Sequence, residues 1–231
     1  MTRREEISEM LSIVQARIDS VCVSTRRSSQ EITLIAVTKN FPVEDARILY
    51  ELGVRDFGEN RDQEGALKSE LLPGDITWHF QGQIQSRKIN SIACWADYVH
   101  SLHSLDHARK FDSLLESSGS GIGEFFVQVN FEPERNDRGG VARSQIEAFL
   151  EELHNRTQIR PLGLMTVAPI SGDPSKIFEE LRTIQMKMVA SFPSLVNLSM
   201  GMSGDFEAAI RCGATHIRIG SSILGSRVLP A

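Results

Sequence analysis

Ile32-Thr33-Leu34-Ile35-Ala36-Val37-Thr38 is a short, apolar, β-branched run that ends on Lys39, followed by Asn40, Phe41 and Pro42. Such a run reads as a buried strand, bounded by a proline that opens a helix. The helical stretch Val43–Leu52 follows, and Gly53 stands where a left-handed cap residue is expected. Working outward, the same unit recurs. We read strands at Thr33–Thr38, Val54–Phe57, Thr77–Phe80, Tyr98–His100, Phe125–Asn130, Pro161–Thr166, Val196–Ser199 and His216–Ile219. Helices fall at Val43–Leu52, Asp62–Leu71, Leu105–Glu116, Arg143–His154, Asp173–Ser191 and Asp205–Cys212, with an extra N-terminal helix at about 4–21. Gly213 is a second expected cap. Strands alternating with helices imply parallel pairing through right-handed crossovers. The predicted class is α/β, a single (β/α)8 TIM barrel over 1–231. A doubly wound open sheet gives the same alternation and stays the alternative.

Size and charge bound the function. The chain has 231 residues, 41% hydrophobic and 24% charged, enough for one soluble domain with a large core. Its net charge of -5 and scattered basic residues argue against nucleic acid and membrane surfaces as partners. No apolar run approaches the roughly 20 residues of a membrane span. The N-terminus lacks a signal peptide's apolar core. Cys22, Cys94 and Cys212 are odd in number and far apart, which argues against a disulfide framework and fits a reducing cytoplasm. Two Gly-rich loops, Ser117–Gly123 and Pro133–Gly140, are too short to be domain linkers.

In a barrel, functional groups gather at the C-terminal ends of the strands. There the sequence offers Lys39, Gly58-Glu59-Asn60, His79, Gln81-Gly82-Gln83, His100-Ser101, Asn130, Met165, Ser199-Met200-Gly201-Met202-Ser203 and Arg218-Ile219-Gly220-Ser221-Ser222. A lysine amine beside apolar walls can lose its proton and attack a carbonyl, although a strand-end lysine is also an ordinary solvated residue. Glycines and serines after the last two strands fit a phosphate site, with Ser203-Gly204-Asp205 opening a helix. They equally fit plain turn and cap chemistry. Arg218 reads as a salt-bridged barrel residue or a ligand contact, and His79 as a base, a ligand or a buried hydrogen-bonded histidine. His100, His103 and His107 with Asp106 cross a strand–helix junction without a second acidic cluster, so no metal is expected. Glu59 and Asp62 could act as acid and base, or be salt-bridged beside Arg61.

These residues carry a resemblance. Ala36-Val37-Thr38-Lys39, Phe57-Gly58-Glu59-Asn60 with Gln63-Glu64, Trp78-His79-Phe80-x-Gly82, His103-Ser104-Leu105-Asp106, Gly163-Leu164-Met165, Leu198-Ser199-Met200-Gly201-Met202-Ser203 and Arg218-Ile219-Gly220-Ser221 with Gly225 and Arg227 stand in family order and spacing. From about Ile32 to Arg227 the chain resembles the pyridoxal phosphate homeostasis proteins, which share the alanine racemase N-terminal barrel. The resemblance implies an internal aldimine between Lys39 and pyridoxal 5′-phosphate, Asn60 near the ring, and Ser203, Gly220 and Ser221 on the phosphate. It implies Arg218 facing the pyridine nitrogen, and His79, Ser199 and Met200 about the pocket. Arg61 and Gln81 depart from the family pattern and could alter what enters above the ring.

The role implied is a cytoplasmic, monomeric carrier or buffer in vitamin B6 and amino-acid homeostasis, without established catalysis. Apo-enzymes that use the cofactor are candidate partners. The alternative is a pyridoxal-phosphate-dependent amino-acid racemase or a related fold-type III enzyme. Two-base racemases of this type draw a tyrosine from a second domain. This sequence ends at Ala231, so no such domain is expected, and it offers only Tyr50 and Tyr98. A Schiff-base aldolase on a sugar phosphate, or a non-catalytic interaction module, remain open on the residues alone.

Overall fold

The computed structural model describes residues 1–118, 123–132, 139–169 and 172–225, with the side chains of 116–118 left aside. Most of the two Gly-rich loops, and Arg227, lie outside the described residues. The strands are β1 (Thr33–Val37), β2 (Asp56–Glu59), β3 (Thr77–Phe80), β4 (Tyr98–Leu102), β5 (Glu124–Asn130), β6 (Val141–Ala142), β7 (Gly163–Met165), β8 (Asn197–Met202) and β9 (His216–Ile219). Every pairing is parallel. The order β4-β3-β2-β1-β9-β8-β7-β5 closes through β4–β5, so the sheet is a barrel and the open doubly wound alternative is excluded. β6 is an outlying pair of residues on β5 and was not expected from the sequence.

Helices wrap the barrel: α1 (Arg3–Thr25), α2 (Val43–Glu51), α3 (Asp62–Leu71), α4 (Ile89–Trp95), α5 (Leu105–Ser118), α6 (Ile146–Arg156), α7 (Pro174–Met188), α8 (Phe206–Arg211) and α9 (Ser221–Leu224). A Thr2/Glu5 capping box starts α1, and left-handed Arg26 ends it. Its buried face, Ile7, Val14, Ile18, Val21 and Cys22, has helical spacing and packs on α8 and α9. Arg3 forks onto Asp45 of α2 at 3.1 and 2.7 Å and donates to the Leu224 carbonyl of α9 at 2.9 Å. The extra helix therefore ties the first crossover to the last.

Two local readings are corrected. Strand two runs Asp56–Glu59, displaced from the expected Val54–Phe57. Gly58 belongs to the strand through its pairing with Val37 and His79, and the crowded barrel interior favours glycine there: a Cβ would lie 2.7 Å from Gln81 Nε2 and 3.0 Å from Ile35 Cγ2. α4 went unread because it is only seven residues long, yet Ile89, Ile92, Ala93 and Trp95 give it a buried face.

The barrel interior is unusually polar. Ile35 and Phe126 point in, but so do His79, His100, Ser199, His216 and Arg218, all buried. Branched apolar layers are the usual filling. Here hydrogen bonds replace part of that packing, and the apolar residues between them, such as Phe57, Trp78, Phe80 and Met200, face the helices.

Candidate functional site

β1 delivers Lys39 to the mouth of the barrel. Asn40 follows in the left-handed region at φ 63°, and its N–H is held by Glu64 Oε2 at 2.7 Å, while Phe41 N–H returns to the Thr38 carbonyl. This tight turn, tolerated by asparagine, stops the strand and leaves the lysine partly exposed. Behind it lies a buried ion pair. Lys68 Nζ of α3 donates to Glu59 Oε1 at 2.6 Å and to the Thr38 carbonyl at 2.8 Å, and Thr38 Oγ1 donates to the same Glu59 oxygen at 2.6 Å. Burial pushes the Glu59 carboxyl above its ordinary range despite Lys68 and Thr38. The pair fastens together the residues that precede Lys39 and Asn60.

The loops after β8 and β9 form a second wall. Gly201, at φ 94°, lies so close to α8 that a Cβ would come within 2.6 Å of Ala209 Cβ. The N–H groups of Gly220 and Ser222 both donate to Ser203 Oγ at 3.3 Å, and Ser222 Oγ donates to the Ser203 carbonyl at 3.4 Å. Amides and hydroxyls thus converge at the start of α9, and a side chain at Gly220 would press the Val37 carbonyl at 3.1 Å. Between the walls is a cavity of about 340 Å³, whose lining includes Lys39, Asn60, Ser203, Arg218, Gly220 and Ser221. Val37, Phe41, Gln81, Met165, Val167 and Met202 also line it. No carboxylate is among its described lining residues.

Arg218 is the cavity's inner cation. It is buried, and desolvation pushes its pKa down to about 10, which leaves it charged at neutral pH. Its Nη1 donates to Ser199 Oγ at 2.7 Å and its Nη2 to the Thr166 carbonyl at 2.8 Å. Two buried polar atoms without a partner complete the picture: Asn60 Oδ1, an acceptor, and Gln81 Nε2, a donor. A phosphorylated aromatic aldehyde fits this set. The amine can meet its carbonyl, Ser203, Ser221 and the α9 amides can meet its phosphate, and the two orphaned amide groups can meet polar substituents of its ring.

Several expected site residues lie elsewhere. Met200 is fully buried among the helices because it alternates with inward-facing Ser199. Ser199 stands one residue behind the cavity, under Arg218. His79 faces inward but a layer below the mouth, bonded to His100 and Asp56. Arg61 points outward to Glu64, whereas Gln81 does line the cavity. Glu59 is bound to Lys68, and Asp62 to Lys88 at 3.0 Å and Trp95 Nε1 at 3.2 Å, so they form no acid–base pair. His107 bonds to Ser86 away from the cavity, whereas His103 lines a neighbouring cavity that shares Gln81, Met165 and Val167 with the first, and no group of three or more His, Cys, Asp or Glu among the described residues could hold a metal ion. Likewise no described helix is long and apolar enough to cross a membrane. Phe41 and Val167 were missed; their only signal was position, just beyond strand ends, whereas Met202 was among the strand-end residues offered by the sequence.

Residues 16–228 match the family profile of the alanine racemase N-terminal domain, which sets the class of the barrel. The chain is 38% identical over 229 residues to the pyridoxal phosphate homeostasis protein of Corynebacterium glutamicum, covering 94% of this chain and 100% of that one. It is 33% identical to the protein of the same name from Schizosaccharomyces pombe, covering 94% of both. The chain belongs to the pyridoxal phosphate homeostasis protein family. The structure of PipY from Synechococcus elongatus with PLP bound superposes at a TM-score of 0.82, with 31% identity over 95% of this chain and all of that one. Alanine racemase from Clostridium difficile, at 16% identity, a TM-score of 0.73 and coverage of 98% of this chain and 58% of that chain, shares the fold.

Proposed function

We propose that this chain, acting as one binding domain over 1–231, holds pyridoxal 5′-phosphate covalently on Lys39 and takes part in cytoplasmic vitamin B6 and amino-acid homeostasis without turnover of its own. The observation that carries this reading is the pairing of Lys39 and Arg218 with the Ser203–Ser222 cradle around one cavity whose described lining holds no carboxylate. The bound cofactor supplies an electrophilic aldehyde, which an amine can take up or release. Lys39 is the amine that captures it. Ser203, Gly220 and Ser221 bind the phosphate, and Asn60 orients the ring. Arg218 presents only donors, so a ring nitrogen facing it is kept from taking a proton. That weakens the ring as an electron sink, which favours storage over catalysis.

No second proton-handling group stands among the described lining residues of this cavity, which supports the same reading. Tyr50 is bonded to Asp75 on the outside of the barrel, and Tyr98 stacks on His79 below the mouth. A racemase needs an acid–base group on each face of the ring. Apo-enzymes that require the cofactor are the proposed recipients, by amine exchange from Lys39, and the carrier is a monomer.

The test is borohydride trapping of the purified, cofactor-loaded protein followed by peptide mapping. The adduct is expected on Lys39 and lost in Lys39→Ala; an adduct retained on another lysine refutes the assignment. Deuterium exchange at the α-carbon across a panel of amino acids decides the racemase reading, with no exchange expected. Light scattering reads the mass of one chain if the monomer is right.

A further inference from the structure

Below the cavity, a line of hydrogen bonds runs down the barrel axis. Arg218 Nη1 reaches Ser199 Oγ at 2.7 Å, Ser199 Oγ reaches His100 Nδ1 at 2.8 Å, His100 Nε2 reaches His79 Nδ1 at 2.9 Å, and His79 Nε2 reaches Asp56 Oδ1 at 3.1 Å. Asp56 opens β2 at the opposite mouth and its side chain is 33% exposed. Asp56 and cavity-lining Asn60, one residue past the end of β2, are four residues apart, or about 13 Å along extended chain. We propose that Ser199, His100 and His79, ending on Asp56, form a hydrogen-bond relay of one fixed direction that spans the barrel and positions Arg218 at the cofactor cavity.

The direction follows from donor and acceptor chemistry. A guanidinium donates and never accepts, so Arg218 uses Ser199 Oγ as its acceptor. The Ser199 hydroxyl hydrogen then turns to His100 Nδ1, which must be bare. His100 is wholly buried and strongly disfavours the charged form, first through desolvation and then through its neighbours His79, His216 and Arg218. A neutral His100 with bare Nδ1 carries its proton on Nε2 and donates to His79 Nδ1. His79 is left to donate from Nε2 to the Asp56 carboxylate, which only accepts. Every group is used once and all donors point the same way, the arrangement in which such bonds reinforce one another. His100 also stacks on Phe126 at 4.5 Å and His79 on Tyr98 at 4.6 Å, which limits ring reorientation. Thr166 takes the other guanidinium nitrogen, so Arg218 is held at two points from inside and turns its remaining donors to the cavity.

These are positioning residues, and the proposal rests on the reading of the cavity as the cofactor site. Its first test needs no cofactor. Nitrogen-15 NMR of the full chain should find His79 and His100 each protonated on Nε2; an Nδ1 proton on either ring overturns the relay. The second test is spectroscopic, in the cofactor-loaded protein. Ser199→Ala should change the ratio of the cofactor's absorbance bands at fixed pH by about tenfold, the scale of one hydrogen bond to a charged group. Ser199→Thr keeps a hydroxyl and should restore the ratio. Arg218→Ala separates two failures. If it moves the bands while Ser199→Ala does not, the relay is refuted and the cofactor site stands. If Arg218→Ala also leaves them unmoved, Arg218 is not at the ring and both readings fall.

Discussion

Lys68→Met puts the framework of the site under direct load. Methionine keeps the length and apolar stem of the lysine but removes its ammonium from Glu59, whose side chain is fully buried. Breaking a buried pair on one side costs about 3–5 kcal/mol, because a charge is left uncompensated. Glu59 can relieve part of that by taking a proton. Its carboxyl already lies above its ordinary range through burial, and losing Lys68 removes the strongest influence that lowers it. A group whose folded pKa is raised contributes stability that is complete below the unfolded value, about 4.3, and is lost as pH rises through the folded value. The deficit of Lys68→Met should therefore be smallest near pH 4.5 and grow above it by up to about 1.4 kcal/mol per pH unit, until Glu59 ionises in the fold. Adding Glu59→Gln removes the orphaned charge and should recover most of the loss, to within about 1–2 kcal/mol of the parent. Urea denaturation of the four proteins of this cycle at pH 5 and pH 8 measures each term. A deficit below about 1 kcal/mol at pH 8, or no recovery in the double variant, refutes the claim that this pair holds Lys39 and Asn60 in place.

Burial pushes the His216 pKa down to about 3, further lowered by His79 and Arg218 and partly countered by Asp56. A depressed folded pKa contributes stability that is present above the unfolded value near 6.5 and lost as pH falls toward 3. The unfolding free energy should drop by about 2 kcal/mol between pH 6.5 and 5 on this account, and His216→Phe should flatten that slope in a pH series of denaturation curves. Gly82→Ala places a Cβ 1.9 Å from the Asn60 carbonyl oxygen, a clash with backbone. It should cost about 1–3 kcal/mol and weaken cofactor retention, as read by denaturation and dialysis. Ser203→Ala removes the hydroxyl beside the α9 amides, and should weaken binding of pyridoxal 5′-phosphate by about fivefold while leaving pyridoxal unaffected, in a fluorescence titration.

Elements whose local pattern agrees with their tertiary role were readable in advance. β3 and β9 match their expected bounds because each is a compact β-rich run flanked by turns, and Lys39 stood out as a cation ending such a run. Closure was not readable, since periodicity carries no information about which strands meet last. It depends on the β1–β9 pairing, which joins Thr33 to His216 across nearly the whole chain and is set by barrel geometry. The cavity's polar loops were legible as Ser/Gly clusters after adjacent strands. The depth at which an inward residue sits was not: His79 and Arg218 both point inward, yet only Arg218 reaches the cavity, because strand stagger sets each layer. Met200 shows the parity problem in its simplest form. Its neighbour Ser199 faces the barrel, and one step along the strand turns the side chain to the helices.

β1 lies between β2 and β9, so the lysine made early in synthesis waits for the last strand before its surroundings exist. Arg218, Gly220 and Ser221 come with or just after that strand, and Arg3 of α1 grips the carbonyl at the end of the helix beyond it. A chain still emerging from the ribosome can fold many of its crossovers and yet have no place for the cofactor. Capture is thereby deferred to the final ring-closing step, and a molecule that carries the ligand reports that its barrel is shut.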